Sequence, residues 1–288
     1  MRASPFAFLA PTSYPELLAT AREHAEDGKL LAGGQSLLPM LNLRLLRPAV
    51  VIAIGGHLSG EIRSDGRELV IPAGTRHCEL MRNELVRTRL PTLALAAGHI
   101  GNVRVRNRGT IGGSISHADA TAELPCVLSA LGATIVVASS GGVRELAADR
   151  SIVTWFTSAL EPGEVVHSVR VPLRRSKGAF LEFARRPGDF ALVEVSVVVD
   201  LGEGDAIRAA RIVLGGVSDR PAVFEEEPTT ILRQEPDVAR AARALGEAIA
   251  GSIQPFSDHR ASAAYRRAVA RALVSDAVVR AMSGPSTA

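Results

Sequence analysis

Apolar residues recur along the chain with two different periods, and their alternation predicts a mixed helix and strand fold. Near the start, SYPE (residues 13–16) has the form of a helix N-terminus, with a capping serine and a proline in the first turn. This pattern predicts a helix over residues 14–27 and a strand over residues 29–32. An apolar stretch at 37–46 then leads to a second strand at 50–54.

The middle of the chain continues this alternation but contains one long interval without a clear period. We predict strands at 68–73, 133–138 and 165–171 and helices at 76–88 and 122–131. The interval 99–120 contains four glycines and follows neither period. Long segments without regular structure inside a compact domain usually carry function. We therefore predict a functional loop over residues 99–120.

The pattern changes again at Pro172, and the segment RRSKG (residues 174–178) marks the predicted boundary of the last domain. We predict strands at 179–185, 192–200 and 206–215, followed by helices at 237–250 and 258–282. Strands followed by helices indicate an α+β domain. Alternation within residues 195–199 is typical of a half-buried antiparallel sheet.

The composition argues against several classes of function. The chain has 288 residues, with 33 Lys+Arg against 30 Asp+Glu and a net charge of +3, which is too small to indicate nucleic-acid binding. No apolar run approaches the roughly 18–20 residues that span a bilayer, and the N-terminus lacks the apolar core of a signal peptide. Two cysteines are too few for a zinc site or an iron–sulfur cluster. We expect a cytoplasmic protein that holds no metal and has no membrane span.

Two segments with adjacent glycines carry the chemistry that the sequence suggests. The first is AGGQSL (residues 32–37), directly after a predicted strand, and the second is TIGGS (residues 110–114). Adjacent glycines let the backbone approach a ligand closely, and successive amides can bind an anion. The flanking hydroxyl groups add donors to a phosphate. Two such turns predict two anion-binding elements facing one pyrophosphate, whereas the P-loop and Rossmann patterns are absent from the sequence.

Longer stretches around both glycine pairs resemble a known family. LLAGGQSLLPMLNLRL (residues 30–45) and RNRGTIGGSISHADATAELP (residues 106–125) are similar to the two flavin motifs of the FAD-binding, medium-sized subunit of molybdenum hydroxylases. Carbon monoxide dehydrogenase and xanthine dehydrogenase are examples of these enzymes. FARRPGDFALV (residues 183–193) resembles the segment that opens the family's C-terminal domain. The resemblance covers most of the chain.

The resemblance implies an α+β protein with a vanillyl-alcohol-oxidase/PCMH-type FAD-binding fold of two subdomains and a C-terminal α+β domain. The implied boundaries are 1–55, 56–174 and 175–288. Pyrophosphate is expected between the two glycine turns, with residues near the adenine or the flavin ring further along the chain. The implied cofactor-binding residues are Leu31, Ala32, Gly33, Gly34, Gln35, Ser36, Leu37, Ile100, Gly101, Thr110, Ile111, Gly112, Gly113, Ser114, His117, Asp119, Glu123 and Val166.

The resemblance also implies a function. The chain would carry FAD in a molybdenum hydroxylase complex, accept electrons from [2Fe–2S] clusters and pass them to NAD⁺, a quinone or oxygen. Its expected partners are a [2Fe–2S] small subunit and a molybdenum-cofactor large subunit, in a heterotrimer that dimerises. Gln35 stands where covalent flavin attachment would need a histidine, so the FAD is expected to be non-covalent. No side chain is expected to act as a catalytic acid or base.

Two other functions stay open at this point. A stand-alone FAD oxidoreductase on the same scaffold would need its own substrate pocket and a base. A nucleotide-binding regulatory protein without redox function would bind ADP in the absence of any flavin. The substrate and the terminal electron acceptor do not follow from the sequence.

Several other side chains are open to competing interpretations. The spacing of His117, Asp119 and Glu123 fits no usual set of metal ligands, so hydrogen bonding near the flavin is the better interpretation. Arg104, Arg106 and Arg108 alternate, which in an extended segment places all three on one face toward a phosphate or a partner subunit. Of the aromatic residues, Phe190 is a candidate to approach the flavin ring and Trp155 is expected in the core.

Overall fold

The N-terminal part of the chain forms a small parallel sheet with two helices. The structure, a computed structural model, describes residues 2–287. The first elements are strands β1 (Ala7–Leu9), β2 (Gly28–Leu31) and β3 (Val50–Ala53) and helices α1 (Tyr14–Glu23) and α2 (Leu37–Asn42). The strands lie in the order β1–β3–β2, and both neighbouring pairs are parallel.

Helix α1 begins where the sequence predicts and ends four residues earlier than predicted. The Ser13 hydroxyl caps the helix by accepting a hydrogen bond from the amide of Glu16, while the Glu16 carboxylate accepts from the amide and hydroxyl of Thr12. Leu17 is fully buried against Val50 and Ile52 of β3. The chain then turns so tightly that a Cβ at Gly28 would lie 2.6 Å from the His24 carbonyl oxygen, and β2 begins at that glycine.

A five-stranded sheet follows, with its strands in the order β4–β5–β10–β6–β7. All neighbouring strands are antiparallel. Its strands are β4 (Arg63–Ser64), β5 (Glu68–Pro72), β6 (Thr134–Ser139), β7 (Gly142–Ala147) and β10 (Val165–Pro172), and β8 (Ile152–Thr154) pairs with β9 (Thr157–Ser158) beside it. The predicted strands at 68–73, 133–138 and 165–171 are confirmed as β5, β6 and β10. Strands β1, β4 and β7 and the β8–β9 pair were not predicted.

Six helices lie between β5 and β6, and two predictions for this stretch are wrong. The helices are α3 (His77–Arg82), α4 (Glu84–Arg89), α5 (Pro91–His99), α6 (Val103–Arg106), α7 (Ile111–His117) and α8 (Glu123–Ala130). The single helix predicted over 76–88 is two helices. It breaks at Asn83, whose backbone is extended and whose side chain caps the next helix by accepting from the Val86 amide.

The loop predicted over 99–120 contains α6 and α7. Each of these helices is shorter than the window in which an apolar period is recognisable, and each is stabilised by a cap. The side chain of Asn102 accepts from the amides of Arg104 and Val105, and the Thr110 hydroxyl accepts from the Gly113 amide. Arg104 and Arg106 therefore belong to a helix, and the extended arrangement of alternating arginines is wrong.

The C-terminal part is an antiparallel sheet covered by helices, as predicted. Strands β11 (Ser176–Phe183), β12 (Val193–Leu201), β13 (Ile207–Gly215) and β14 (Ala222–Phe224) lie in chain order, and they are followed by helices α9 (Glu226–Gln234), α10 (Val238–Ser252) and α11 (Ala263–Ser283). Strand β14 and helix α9 were not predicted. Helix α11 begins at Ala263 because Ser262 accepts from the Tyr265 amide, five residues after the predicted start.

Helix α8 joins the middle sheet to the C-terminal sheet. Every residue of α8 is buried, and its core extends to Phe180, Val198 and Val213 of the C-terminal strands. The Cys126 thiol donates to the Val213 carbonyl over 3.4 Å, in agreement with the packing role expected for a buried thiol. Among residues 2–287, no helix is both long enough and apolar enough to cross a membrane.

A fully buried arginine fastens α11 to the turns that precede β12 and follow β13. The Arg266 guanidinium donates to the carbonyls of Leu192 and Gly216 over 2.6 and 3.1 Å and to the Asp258 carboxylate over 2.9 Å. It also lies 4.3 Å from the centre of the Phe256 ring. Because the guanidinium has no access to solvent, these contacts are the only compensation for its burial within the described residues.

We expect Arg266→Met to lower the free energy of unfolding by about 3 kcal/mol, because two buried carbonyls and Asp258 lose their donor. Urea denaturation of the full chain measures the change. Arg271→Met on the same helix is the matched control, since its 3.2 Å ion pair with Glu247 is exposed and should contribute no more than about 1 kcal/mol. Equal midpoints for the two variants would contradict this role for Arg266.

Candidate cofactor site

A deep cavity lies between the N-terminal sheet and the helices that precede β6. Its volume is about 850 Å³, which is typical of a site for a large small-molecule ligand. The walls come from both glycine turns, from the ends of α5 and α7, from the segment before β10 and from the turn that carries Phe190. All of the predicted cofactor-binding residues line this cavity except Leu31 and Ile111.

The two exceptions have a structural reason. Ile111 is fully buried in the main hydrophobic core, so its side chain faces away from the cavity. Leu31 is the last residue of β2, where its backbone pairs with Ala53. Both residues hold the glycine turns in place without reaching the cavity wall.

The first glycine turn presents free amide groups to the cavity. After β2 ends, Gly34 adopts a positive φ of 73°, and the Gln35 side chain donates to the Gly33 carbonyl over 3.0 Å. None of the amides of Gly33, Gly34, Gln35 and Ser36 donates to a protein acceptor within residues 2–287. Four consecutive unpaired N–H groups at a cavity wall are donors suited to an anion such as pyrophosphate.

The second glycine turn uses its amides differently. Those of Ile111 and Gly112 donate to the carbonyls of Thr75 and Ala73 over 3.0 and 2.9 Å, and those of Gly113 and Ser114 donate to Thr110 over 3.1 and 3.0 Å. A Cβ at Gly112 would lie 2.7 Å from the Ala73 Cβ, so the glycine there permits close packing on the end of β5. This turn therefore offers a ligand its hydroxyl groups, whereas its amides already have acceptors.

The two glycine turns are in direct contact. A Cβ at Gly33 would lie 2.1 Å from the Arg108 carbonyl oxygen and 2.8 Å from the Gly109 Cα. Gly113 also approaches the first turn, since a Cβ at Gly113 would lie 3.8 Å from the Ala32 Cβ. The backbone around Gly33 thus packs on the backbone before the second turn, and together they form one continuous wall of the cavity.

Apolar and aromatic residues complete the wall. Ile100 and Val166 are buried, and Gly101 between α5 and α6 has a positive φ of 45°. His117 lies 5.2 Å from the Phe156 ring, centre to centre. Burial lowers the pKa of His117, so its imidazole is neutral at physiological pH. The apolar contacts and the neutral ring suit the uncharged parts of a nucleotide cofactor.

Glu123 and Asp119 are the two buried acids of the cavity, and they differ in hydrogen bonding. The Asp119 carboxylate accepts from both the amide and the hydroxyl of Thr121 over 2.8 Å, which satisfies one of its oxygens. Burial raises the pKa of Glu123 to about 8, and the charges of Glu182 and Asp119 add to the rise. Glu123 is thus mainly protonated at neutral pH, and its carboxyl group can donate a hydrogen bond.

The sequence analysis missed His77. Its imidazole is buried in the cavity wall next to Gly109, and a Cβ at Gly109 would lie 2.7 Å from the His77 Cε1. Neither ring nitrogen has a hydrogen-bond partner in the described part of the chain, and burial lowers the pKa of the ring to about 4. Nothing in the local sequence distinguishes His77, because its position in the wall depends on the approach of the second turn.

Phe190 lies where an approach to a bound ring is possible. The prediction that Trp155 lies in the core is wrong, because its neighbours Val153 and Phe156 are exposed. Phe190 lines the cavity mouth and is mostly exposed, consistent with an approach to a bound ring system. Trp155 is half-buried and packs edge-to-face on Phe256, with 5.0 Å between the ring centres. Within residues 2–287, no group of three histidine, cysteine or acidic side chains is arranged to hold a metal ion.

Comparisons with known proteins identify the family of this chain. The family described as the FAD binding domain in molybdopterin dehydrogenase matches residues 4–174. The family described as the CO dehydrogenase flavoprotein C-terminal domain matches residues 178–281. These two matches account for nearly all of the chain.

Individual relatives are similar over their whole length. The 6-hydroxypseudooxynicotine dehydrogenase complex subunit alpha of Paenarthrobacter nicotinovorans is 38% identical over 95% of this chain and 96% of its own. In the structure of quinoline 2-oxidoreductase from Pseudomonas putida 86, one chain is 33% identical with a TM-score of 0.92, over 98% of both chains. A chain of carbon monoxide dehydrogenase from Hydrogenophaga pseudoflava is 34% identical, also with a TM-score of 0.92, over 98% of this chain and 99% of its own.

The cavity with its two glycine turns, the two matching domains and the full-length relatives point to the same conclusion. FAD is the cofactor that this fold binds. The chain belongs to the family of FAD-binding medium subunits of molybdenum hydroxylases, which are flavoprotein subunits of multi-subunit oxidoreductases.

Proposed function

We propose that this chain carries electrons within a molybdenum hydroxylase complex, accepting them from [2Fe–2S] clusters and passing them to NAD⁺, a quinone or oxygen. The observation that supports this most is the row of four free amides, Gly33 to Ser36, on the wall of a cavity of about 850 Å³. Bound FAD supplies the redox chemistry, since it accepts electrons singly or in pairs. The protein supplies position and electrostatic environment.

The residues of the cavity divide the work of binding. The amides of the first turn would hold the pyrophosphate, and the hydroxyls of Ser36 and Ser114 would add donors. Protonated Glu123 would donate a hydrogen bond to the cofactor, and Ile100 and Val166 would supply apolar contacts. Gln35 is turned back on the Gly33 carbonyl, so we propose that the FAD is held without a covalent bond.

We further propose the assembly implied by the family resemblance. A [2Fe–2S] small subunit and a molybdenum-cofactor large subunit complete a heterotrimer, which dimerises in the cytoplasm. Within this chain we propose units 1–55, 56–174 and 175–288, because the three larger sheets lie within residues 7–53, 63–172 and 176–224. Phe190 is exposed at the cavity mouth, so we propose that a bound ring system is accessible from this side of the cavity.

Spectroscopy and co-purification test this function together. The purified full chain should show the absorption bands of oxidised flavin, and heat should release the chromophore as FAD. Expressed with its neighbouring genes, the chain should co-purify with an iron–sulfur and a molybdenum subunit. Flavin without partners would favour a stand-alone oxidoreductase, and a chain that binds ADP but never takes up FAD would contradict both functions.

We expect Gly33→Ala to weaken FAD binding by about tenfold or more, because the new methyl group would overlap the Arg108 carbonyl and separate the two turns. Titration of the apo-protein with FAD, followed by fluorescence, measures the affinity. Gly56→Ala is the control, since nothing lies within 4 Å of a Cβ there. Unchanged affinity in Gly33→Ala would show that contact between the turns is unnecessary for binding.

We expect Ser36→Ala to weaken FAD binding about fivefold, which is about 1 kcal/mol, the contribution of one neutral hydrogen bond. The same titration measures it, with Ser252→Ala as the control because that hydroxyl bonds only to the Ile249 carbonyl far from the cavity. Should both variants bind FAD like the parent chain, Ser36 would not contact the pyrophosphate.

A further inference from the structure

Two buried carboxyl groups face each other across the first two strands of the C-terminal sheet. Glu182 on β11 and Glu194 on β12 are register partners, so their side chains leave the same face of the sheet as close neighbours. The Glu182 side chain is 7% exposed and Glu194 is fully buried. On the next strand, Gly215 makes room for Glu194, because a Cβ there would lie 2.1 Å from the Glu194 Oε1.

Hydrogen bonding does not explain this pair. Both carboxyl oxygens of Glu194 and the Oε2 of Glu182 are buried without a partner in the described chain. Within residues 2–287, the one basic group in contact with the pair is His99 on α5, whose Nδ1 lies 3.2 Å from the Glu182 Oε1. Two adjacent buried carboxylates cannot both stay ionised without a large cost, and burial together with the charges of Glu123 and Glu182 raises the pKa of Glu194, so Glu194 keeps its proton.

Helix α8 connects this pair to the cavity. The helix packs on β12 and on α5, and its first residue, Glu123, lies in the cavity wall. The negative charge of Glu182 raises the pKa of Glu123, and that of Glu123 raises the pKa of Glu194, both in addition to burial. Glu123, Glu182 and Glu194 thus interact electrostatically, and we refer to them as the carboxyl cluster.

Among the described residues, no arginine or lysine forms an ion pair with an acid of the carboxyl cluster, although the charge of Arg106 acts on His99. Asp119 adds a further negative charge and has its own donors from Thr121. Arg106 on α6 donates to the carbonyls of Ile100 and Gly101. Cys126 on α8 is buried, and burial raises the pKa of its thiol, so it remains protonated.

His99 is the contact between the carboxyl cluster and solvent. Its side chain is 38% exposed, and its ring lies edge-to-face against Phe180, 5.6 Å between centres. The hydrogen bond and the charge of Glu182 raise the pKa of the imidazole, which brings its titration toward neutral pH. One end of the buried acids thus lies in the cavity, and the other lies beside a solvent-accessible base.

We propose that the carboxyl cluster and His99 form a proton path between the cavity and solvent, and that this path supplies the proton that accompanies reduction of the bound flavin. The inference rests on the proposed function. Reduction of FAD by two electrons consumes one proton, which becomes bonded to a ring nitrogen. The electrons come from the iron–sulfur donor. Glu123 releases the proton into the cavity, the cross-strand pair replaces it, and His99 replenishes the pair from water.

Infrared difference spectra of the FAD-loaded full chain, recorded on anaerobic reduction with dithionite, test the buried proton directly. We expect a protonated-carboxyl band that shifts in D₂O and changes when the flavin is reduced. In Glu194→Gln part of this band should be lost, and Glu182→Gln should alter the remainder. Glu145→Gln, an exposed acid paired with Arg170 at the surface, should leave the band unchanged.

Proton uptake, measured by stopped flow with a pH-indicator dye, tests the solvent end of the path at His99. With His99→Gln we expect uptake to slow by about 100-fold, the lower range for a positioned proton-transfer group, while FAD affinity stays the same. His259→Gln, an exposed histidine away from the cavity, is the matched control.

The outcomes of these measurements distinguish failure of the proton path from failure of the proposed function. Unaltered uptake in His99→Gln and Glu182→Gln, with FAD fully bound, would overturn the proton path and leave the proposed function intact. A parent chain that takes up no FAD would overturn the proposed function, and the proton path with it. If Glu194→Gln does not fold, the His99 and Glu182 variants alone decide the question.

Discussion

The contact between the two glycine turns is the interaction on which the site depends. The Gly33 backbone lies directly against the carbonyl of Arg108, where any side chain would overlap. This contact joins the N-terminal parallel sheet to the middle of the chain and closes one wall of the cavity. Because the second turn anchors its amides on Ala73 and Thr75, it supports the first turn rigidly. The amides of the first turn then remain free and fixed, as preorganised binding of an anion requires.

Helix α8 connects the C-terminal sheet to the cavity. Its start carries Glu123 in the cavity wall, and the rest of the helix is buried against β12 and β13. The environment of Glu123 is therefore determined partly by acids on the C-terminal strands. The same sheet is fastened by Arg266 at the turns around Leu192 and Gly216. The C-terminal sheet of this chain thus affects the cavity through charge as well as through packing.

Elements with a long, regular pattern were predicted well from the sequence. The helix predicted over 237–250 is α10 (Val238–Ser252), and the strand predicted over 165–171 is β10 (Val165–Pro172). Short elements were missed, because four to seven residues carry too little periodicity and depend on their caps. Asn102 and Thr110 cap α6 and α7 within a segment whose glycines indicated a loop. Boundaries also differed from the prediction where the chain packs tightly. Helix α1 ends at Glu23, and Gly28 then packs against the His24 carbonyl.

The sequence by itself determined the positions of the two glycine turns, the hydroxyls beside them and the family to which they belong, because these are properties of consecutive residues. The tertiary structure decided which donors and acids are free to act. Whether an amide is available depends on a distant acceptor, such as the Ala73 carbonyl for Gly112. Whether a carboxyl group keeps its proton depends on burial and on neighbouring charges, such as that of Glu182 on Glu123. Neither property is local, so His77 and the cross-strand glutamates became apparent only in the fold.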